Sequence, residues 1–180
     1  MKLKIVKDND PNLRKRSNDV DLPLSNEDKE LLDSMLEYLK LSQDEEYSKK
    51  HNIRAGVGLA APQVGVLKRM FVIYYTNEEE IIQYQLVNPK IIESSIKKTA
   101  LQSGEGCLSV DDVHEGLVHR NFKIILKAYD AIQDKIVHIT ARGYDAIVLQ
   151  HEYDHLDGIL YYDRIDKVNP NKALPDEVII

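Results

Sequence analysis

The stretch Tyr144-Asp145-Ala146-Ile147-Val148-Leu149-Gln150-His151-Glu152-Tyr153-Asp154-His155-Leu156, closed by Asp157 and Gly158, carries the decisive structural and chemical signals of this 180-residue chain. Ala146, Ile147 and Val148 stand three to five residues before His151 and recur at helical spacing with His155, and Gly158 supplies a stop, so a largely buried helix is expected from about Gly143 to Leu156. On such a helix His151 and His155 stand one turn apart on the same face, about 6 Å along the axis. Two ring nitrogens can then reach one metal ion. Glu152 is turned roughly 100° away from His151, a poor position for binding the same ion but a good one for meeting a water on it.

The segments upstream have a different character. The runs MFVIYY (70–75), IIQYQLV (81–87), FKIILKAY (122–129) and KIVHIT (135–140) are β-branched and aromatic, with turn-like residues between them. The last two are separated by a short polar break and predict an antiparallel hairpin. Nearer the start, Leu31, Leu32, Met35, Leu36 and Leu39 recur at helical spacing behind Ser25 and Asp28, a loose capping box, which predicts an amphipathic helix over 25–41. The following SQDEEYSKKH (42–51) is polar and reads as a surface connection. An order of helix, several strands and helix points to an α+β fold in one domain spanning 1–180.

Composition narrows the function classes. With 43% hydrophobic and 30% charged residues the chain has enough apolar surface for a core. Its one cysteine, Cys107, excludes a disulfide scaffold. A formal net charge of −6 argues against a protein built to grip phosphate backbones, so no cognate DNA is expected. No run approaches the roughly 18 apolar residues of a membrane span and MKLKIVKDNDPN has no signal-peptide core, so the expected home is a reducing cytoplasm with no membrane partner.

A shuffled chain of this composition would contain His-Glu-x-x-His with a probability of roughly 1 to 2%. Two His leave a catalytic zinc-type site one protein ligand short. The long protease form of the motif would place a third His six residues beyond His155, where this chain has Tyr161. A Glu from a following helix is a poor alternative, since the only later one, Glu177, sits in a tail beside Pro175. The remaining candidate lies in Glu105-Gly106-Cys107-Leu108-Ser109, whose thiolate suits iron or zinc. A lone Cys is otherwise a small buried hydrophobe.

A third segment, Gly56-Val57-Gly58-Leu59-Ala60-Ala61-Pro62-Gln63, satisfies a dinucleotide-binding pattern in isolation. Its context does not, because SKKHNIRA precedes it in place of a buried strand and Pro62 falls where a helix should be running. A tight strand or loop lying against a substrate fits better, with glycines for close approach and Gln63 as an amide donor.

Taken together and in this order, GVGLAAPQ, EGCLS and QHEYDHLDG resemble the three signature segments of peptide deformylases, within a likeness that runs from the N-terminal helix to YYDRI (161–165). The resemblance implies an α+β fold with antiparallel β-sheets packed around a central metal-binding helix, and hydrolysis of the formyl group from N-formylmethionine on newly made proteins, near the ribosome. It implies Cys107, His151 and His155 as ligands of one Fe2+, replaceable by Ni2+, Co2+ or Zn2+. Glu152 would be the general acid/base, with Gln63 and the Leu108 N–H as oxyanion donors. The continuation DDVHEGLVHR and the longer polar insert before Gly56 resemble the second bacterial subclass.

Further expectations come from the site's surroundings. Ile147, Val148 and Val57 are candidate walls of an apolar slot for the Met side chain, and Gly58, Glu105 and Gly106 flank the site where an extended substrate backbone would run. Asp154, on a buried helix, needs a cation, for which Arg120 is the candidate. His51, His114, His119 and His138 belong to no comparable constellation. The competing functions are a zinc-dependent endopeptidase, which would cut internal peptide bonds, and a metal-loaded sensor domain, which would need a fourth protein ligand.

Overall fold

The computed structural model describes residues 3–78 and 80–180. Helix α1 (Asn26–Ser42) begins where the Ser25 hydroxyl accepts the Asp28 N–H at 3.1 Å. Only this half of the anticipated capping box forms, because the Asp28 carboxylate turns to Lys68 at 2.5 Å. Helix α2 (Glu45–His51) replaces the expected surface connection. It is short and none of its residues is buried, so periodicity has nothing to detect. Its signal lies in its ends, where Asp44 accepts the Tyr47 N–H at 2.7 Å and Asn52 closes the helix at φ 52°.

The strands are β1 (Gly58–Ala60), β2 (Met70–Asn77), β3 (Glu80–Ser94), β4 (Lys98–Ala100), β5 (Arg120–Asn121), β6 (Lys123–Asp130), β7 (Lys135–Arg142) and β8 (Val178–Ile179). A five-stranded antiparallel sheet has the order β1-β2-β3-β6-β7, and the expected hairpin is β6–β7, paired from Lys123↔Arg142 to Asp130↔Lys135. A smaller sheet, β5-β4-β8, holds the C-terminal segment through the parallel pair β4–β8, which no local pattern announced.

The continuous apolar run of β2 is explained by burial on both faces. Met70 and Val72 pack with Leu32, Met35 and Leu39 of α1, whereas Phe71, Ile73 and Tyr75 pack with Ala146, Val148 and Leu149 of the third helix, α3 (Tyr144–Leu156). Two-residue alternation thus sorts one strand between two helical layers. Nine of the thirteen α3 residues are buried, in keeping with its sequence pattern. Its exit turn uses Gly158 at φ 73°, with Gly158 N–H on the His155 carbonyl and Ile159 N–H on that of Asp154. A Cβ at Gly158 would lie 2.3 Å from the Arg14 carbonyl oxygen, so the turn and the close packing both require glycine.

Candidate active site

Burial of the apolar face of α3 turns His151 and His155 to one side, with ring centroids 5.1 Å apart. The 105–109 segment crosses them, and Cys107 Sγ lies 3.3 Å from His155 Nε2. One ligand atom each from Cys107, His151 and His155 falls within 4.8 Å of the other two. Donors bound to one tetrahedral ion stand roughly 3.5 Å apart, so the three groups fit a single metal. A thiolate with two imidazoles is a donor set suited to iron, zinc, nickel or cobalt.

His151 is oriented from behind. Its Nδ1 lies 2.8 Å from Glu105 Oε1, which leaves Nε2 for the thiol side. Glu105 in turn receives Arg120 Nε and Nη2 at 2.6 and 2.8 Å, and Arg120 Nη1 donates to Asp154 Oδ2 at 3.0 Å. Arg164 closes the chain with bonds of 2.6 and 2.7 Å to the two oxygens of Asp154. The anticipated Asp154–Arg120 pair is therefore present, within a larger network whose outer member, Arg164, is exposed. Burial pushes the Glu105 carboxyl up, but the hydrogen bonds and charge of Arg120, reinforced by His151, hold it at about 2.

Burial raises the Glu152 carboxyl to about 7, against the lowering influence of His151 and Arg120. Its Oε2 has no hydrogen-bond partner among the described residues, nor does His155 Nδ1. The carboxylate abuts the backbone of β1, where a Cβ on Gly58 would lie 2.3 Å from Glu152 Oε1. Gln63 is 1% exposed on the short 3-10 helix Ala61–Val64. Its Oε1 accepts the Ala60 N–H at 2.9 Å, which fixes the amide so that Nε2 points to Cys107 Sγ at 3.3 Å and Ser109 Oγ at 3.1 Å.

A cavity of about 280 Å³ opens over this cluster. Val57, Gly58, Gln63, Glu105, Gly106, Cys107, Leu108, Ile147, Val148, His151 and Glu152 all line it, whereas His155 lies behind them, 1% exposed. Glu105 shows its second task only in three dimensions, since its side chain is committed to Arg120 and His151. The cavity also includes Arg54, Leu101, Gly104 and Tyr144, which sequence reasoning missed. Tyr144 was within reach of it, standing one helical turn before Ile147 and Val148 on the same face. Arg54 and Leu101 carry no local signal of this kind.

The Leu108 N–H makes no hydrogen bond to another described residue, although Leu108 lines the cavity. Strand β1 is an edge of its sheet. Because the Val57 carbonyl accepts from Tyr74 on the β2 side, alternation directs the Gly58 N–H and C=O away from the sheet.

Residues 2–171 match the family model for polypeptide deformylase. The chain is 48% identical to the peptide deformylase of Macrococcus caseolyticus over 178 residues, covering 98% of this chain and 96% of the relative. It is also 48% identical to the enzyme of Staphylococcus epidermidis, with 97% and 96% covered. Among solved structures, a probable peptide deformylase from Synechococcus phage S-SSM7 superposes with a TM-score of 0.74 at 37% identity, covering 91% of this chain and all of that one. The peptide deformylase of Ehrlichia chaffeensis gives a TM-score of 0.75 at 30% identity, with 94% and 91% covered. Sequence match, superposed fold and the Cys-His-His cluster agree, and the chain belongs to the polypeptide deformylase family.

Proposed function

We propose that this chain, as one catalytic domain in the cytoplasm, removes the formyl group from N-formylmethionine on polypeptides emerging from the ribosome, releasing formate and a free amino terminus. The observation that carries the reading is the convergence of Cys107, His151 and His155 within 4.8 Å, beside the buried Glu152 carboxylate, whose Oε2 has no hydrogen-bond partner among the described residues, in a cavity of about 280 Å³. Cys107, His151 and His155 would hold one divalent ion, with Fe2+ preferred and Ni2+, Co2+ or Zn2+ as substitutes. When bound, the ion supplies Lewis acidity and makes water a nucleophile near neutral pH.

The protein groups divide the remaining work. Glu152 takes the proton from the attacking water and returns it to the departing amine, roles that suit a cavity-lining carboxyl whose Oε2 has no hydrogen-bond partner among the described residues. Gln63 Nε2, which stands 3.3 Å from Cys107 Sγ, and the Leu108 N–H would stabilise the oxygen that gains charge as the formyl carbon becomes tetrahedral, with Gln63 turning one N–H from its present acceptors to do so. An extended substrate adds to the free edge of β1, pairing with the outward N–H and C=O of Gly58 and running past Glu105 and Gly106. Val57, Ile147 and Val148 then receive the Met side chain.

The test is release of formate from formyl-Met-Ala-Ser by protein prepared anaerobically with iron. Cleavage of internal peptide bonds without formate would favour an endopeptidase instead. The metal-loaded sensor domain would release neither.

A further inference from the structure

Four consecutive carbonyls, from Cys107 to Val110, are held by groups outside the catalytic cluster. Arg54 Nη2 lies 2.9 Å from the Cys107 carbonyl oxygen, 3.2 Å from that of Leu108 and 2.9 Å from that of Val110. Lys7 Nζ donates to the Leu108 carbonyl at 3.0 Å, and the Asp8 N–H to that of Ser109 at 2.9 Å. Asp111 Oδ1 joins the two cations, 2.8 Å from Lys7 Nζ and 3.2 Å from Arg54 Nη2. The N-terminal segment also holds the other arm of the site, since the Val6 N–H donates to the Gln63 carbonyl at 2.8 Å.

The geometry has a direct consequence for the Leu108 N–H. That donor and the Cys107 carbonyl belong to one planar trans peptide, so they point in opposite directions and move together. A cation on the carbonyl oxygen, together with the Val110 N–H that donates to it at 3.1 Å, fixes the direction of the N–H, and by drawing electrons toward the oxygen the cation strengthens that N–H as a donor. We propose that Arg54, assisted by Lys7, is a positioning residue for deformylation, which aims and polarises the Leu108 N–H by gripping the opposite side of its peptide. This rests on the reading of Leu108 as an oxyanion donor. Arg54 touches none of the reacting atoms in this role; it acts through the 107–110 backbone.

The experiment compares wild type, R54M and R54K, each with equal metal content, in the hydrolysis of formyl-Met-Ala-Ser. The Leu108 amide proton is followed by NMR in zinc-loaded, 15N-labelled protein. Loss of one oxyanion donor costs about 10²–10³ in kcat, and misaiming one costs less, so R54M should lose about tenfold in kcat with KM held within about twofold. R54K should recover most of that loss. The Leu108 resonance should shift in R54M and return toward its original position in R54K. Wild-type kcat in R54M overturns the inference, as does a loss confined to KM, which would mean direct contact with substrate. So does a fall in kcat with the Leu108 resonance unmoved. A wild-type protein that releases no formate overturns the functional reading itself. Should R54M fail to fold, Arg54→Gln carries the same comparison.

Discussion

Glu105 Oε1 stands 2.8 Å from His151 Nδ1, and the same carboxylate is clamped by two nitrogens of Arg120. The imidazole is thereby held in one orientation before any ion arrives, and its metal-facing nitrogen is made more basic. Partners of this kind typically account for 10- to 100-fold in metal affinity. Glu105→Gln retains the shape but removes the charge that Arg120 and His151 require, so metal affinity should fall by about tenfold or more. Competition with a metal-binding dye measures it, and unchanged affinity would show that the ring is held by other contacts.

The same carboxylate links stability to pH. Its folded value of about 2 lies below the ordinary 4.5, so its contribution is complete above about pH 4.5 and is lost as pH falls through 2. Urea midpoints between pH 6 and 2 should therefore drop more steeply in wild type than in Glu105→Gln. Parallel profiles would count against the ion pair as the source.

Glu152→Gln keeps the volume and cannot accept a proton. Metal content should be unaffected, because Glu152 is not among the three converging groups. Turnover should fall by about 10² or more, the usual scale for a general acid/base group. Full activity in metal-loaded Glu152→Gln would remove the residue from its role.

Gly58→Ala tests the contact between β1 and the catalytic carboxylate. The new methyl would arrive 2.3 Å from Oε1 and 2.6 Å from Cδ of Glu152, so the side chain must move. Deformylation should drop by at least tenfold, an estimate based on the sensitivity of catalysis to displacements of about 1 Å. A melting temperature close to wild type would separate this from unfolding, and unimpaired turnover would contradict the arrangement.

Val148 is 5% exposed and belongs both to the cavity and to the core against β2. Val148→Ala should widen the slot and weaken discrimination between formyl-Met and formyl-Leu substrates by a few-fold, at a stability cost of about 1–3 kcal/mol. An unchanged ratio of kcat/KM for the two substrates would assign Val148 to packing alone.

Much of the fold was legible because its signals are local. Five apolar positions spaced along α1, the β-branched runs and the His-Glu-x-x-His pattern each occupy one element and reflect one period. Helix α2 escaped because it buries nothing, and β8 because a two-residue strand takes its identity from the parallel partner β4. Asp154 announced its need for a cation through its position on a buried helix. That Arg120 would serve Glu105 and Asp154 together, with Arg164 added, depended on how distant turns pack.

The amino-acid order alone determined the spacing of the two imidazoles, since four residues of α-helix place them on one face wherever that helix lies. It also determined the unbroken apolar run of β2, whose two faces are covered only once α1 and α3 pack against them. Only the tertiary structure decided that Cys107 reaches His155 from 48 positions away, that Glu105 steers a ring, and that Arg54 grips the back of the Leu108 peptide. Those relations arise from packing between elements, which no local period records.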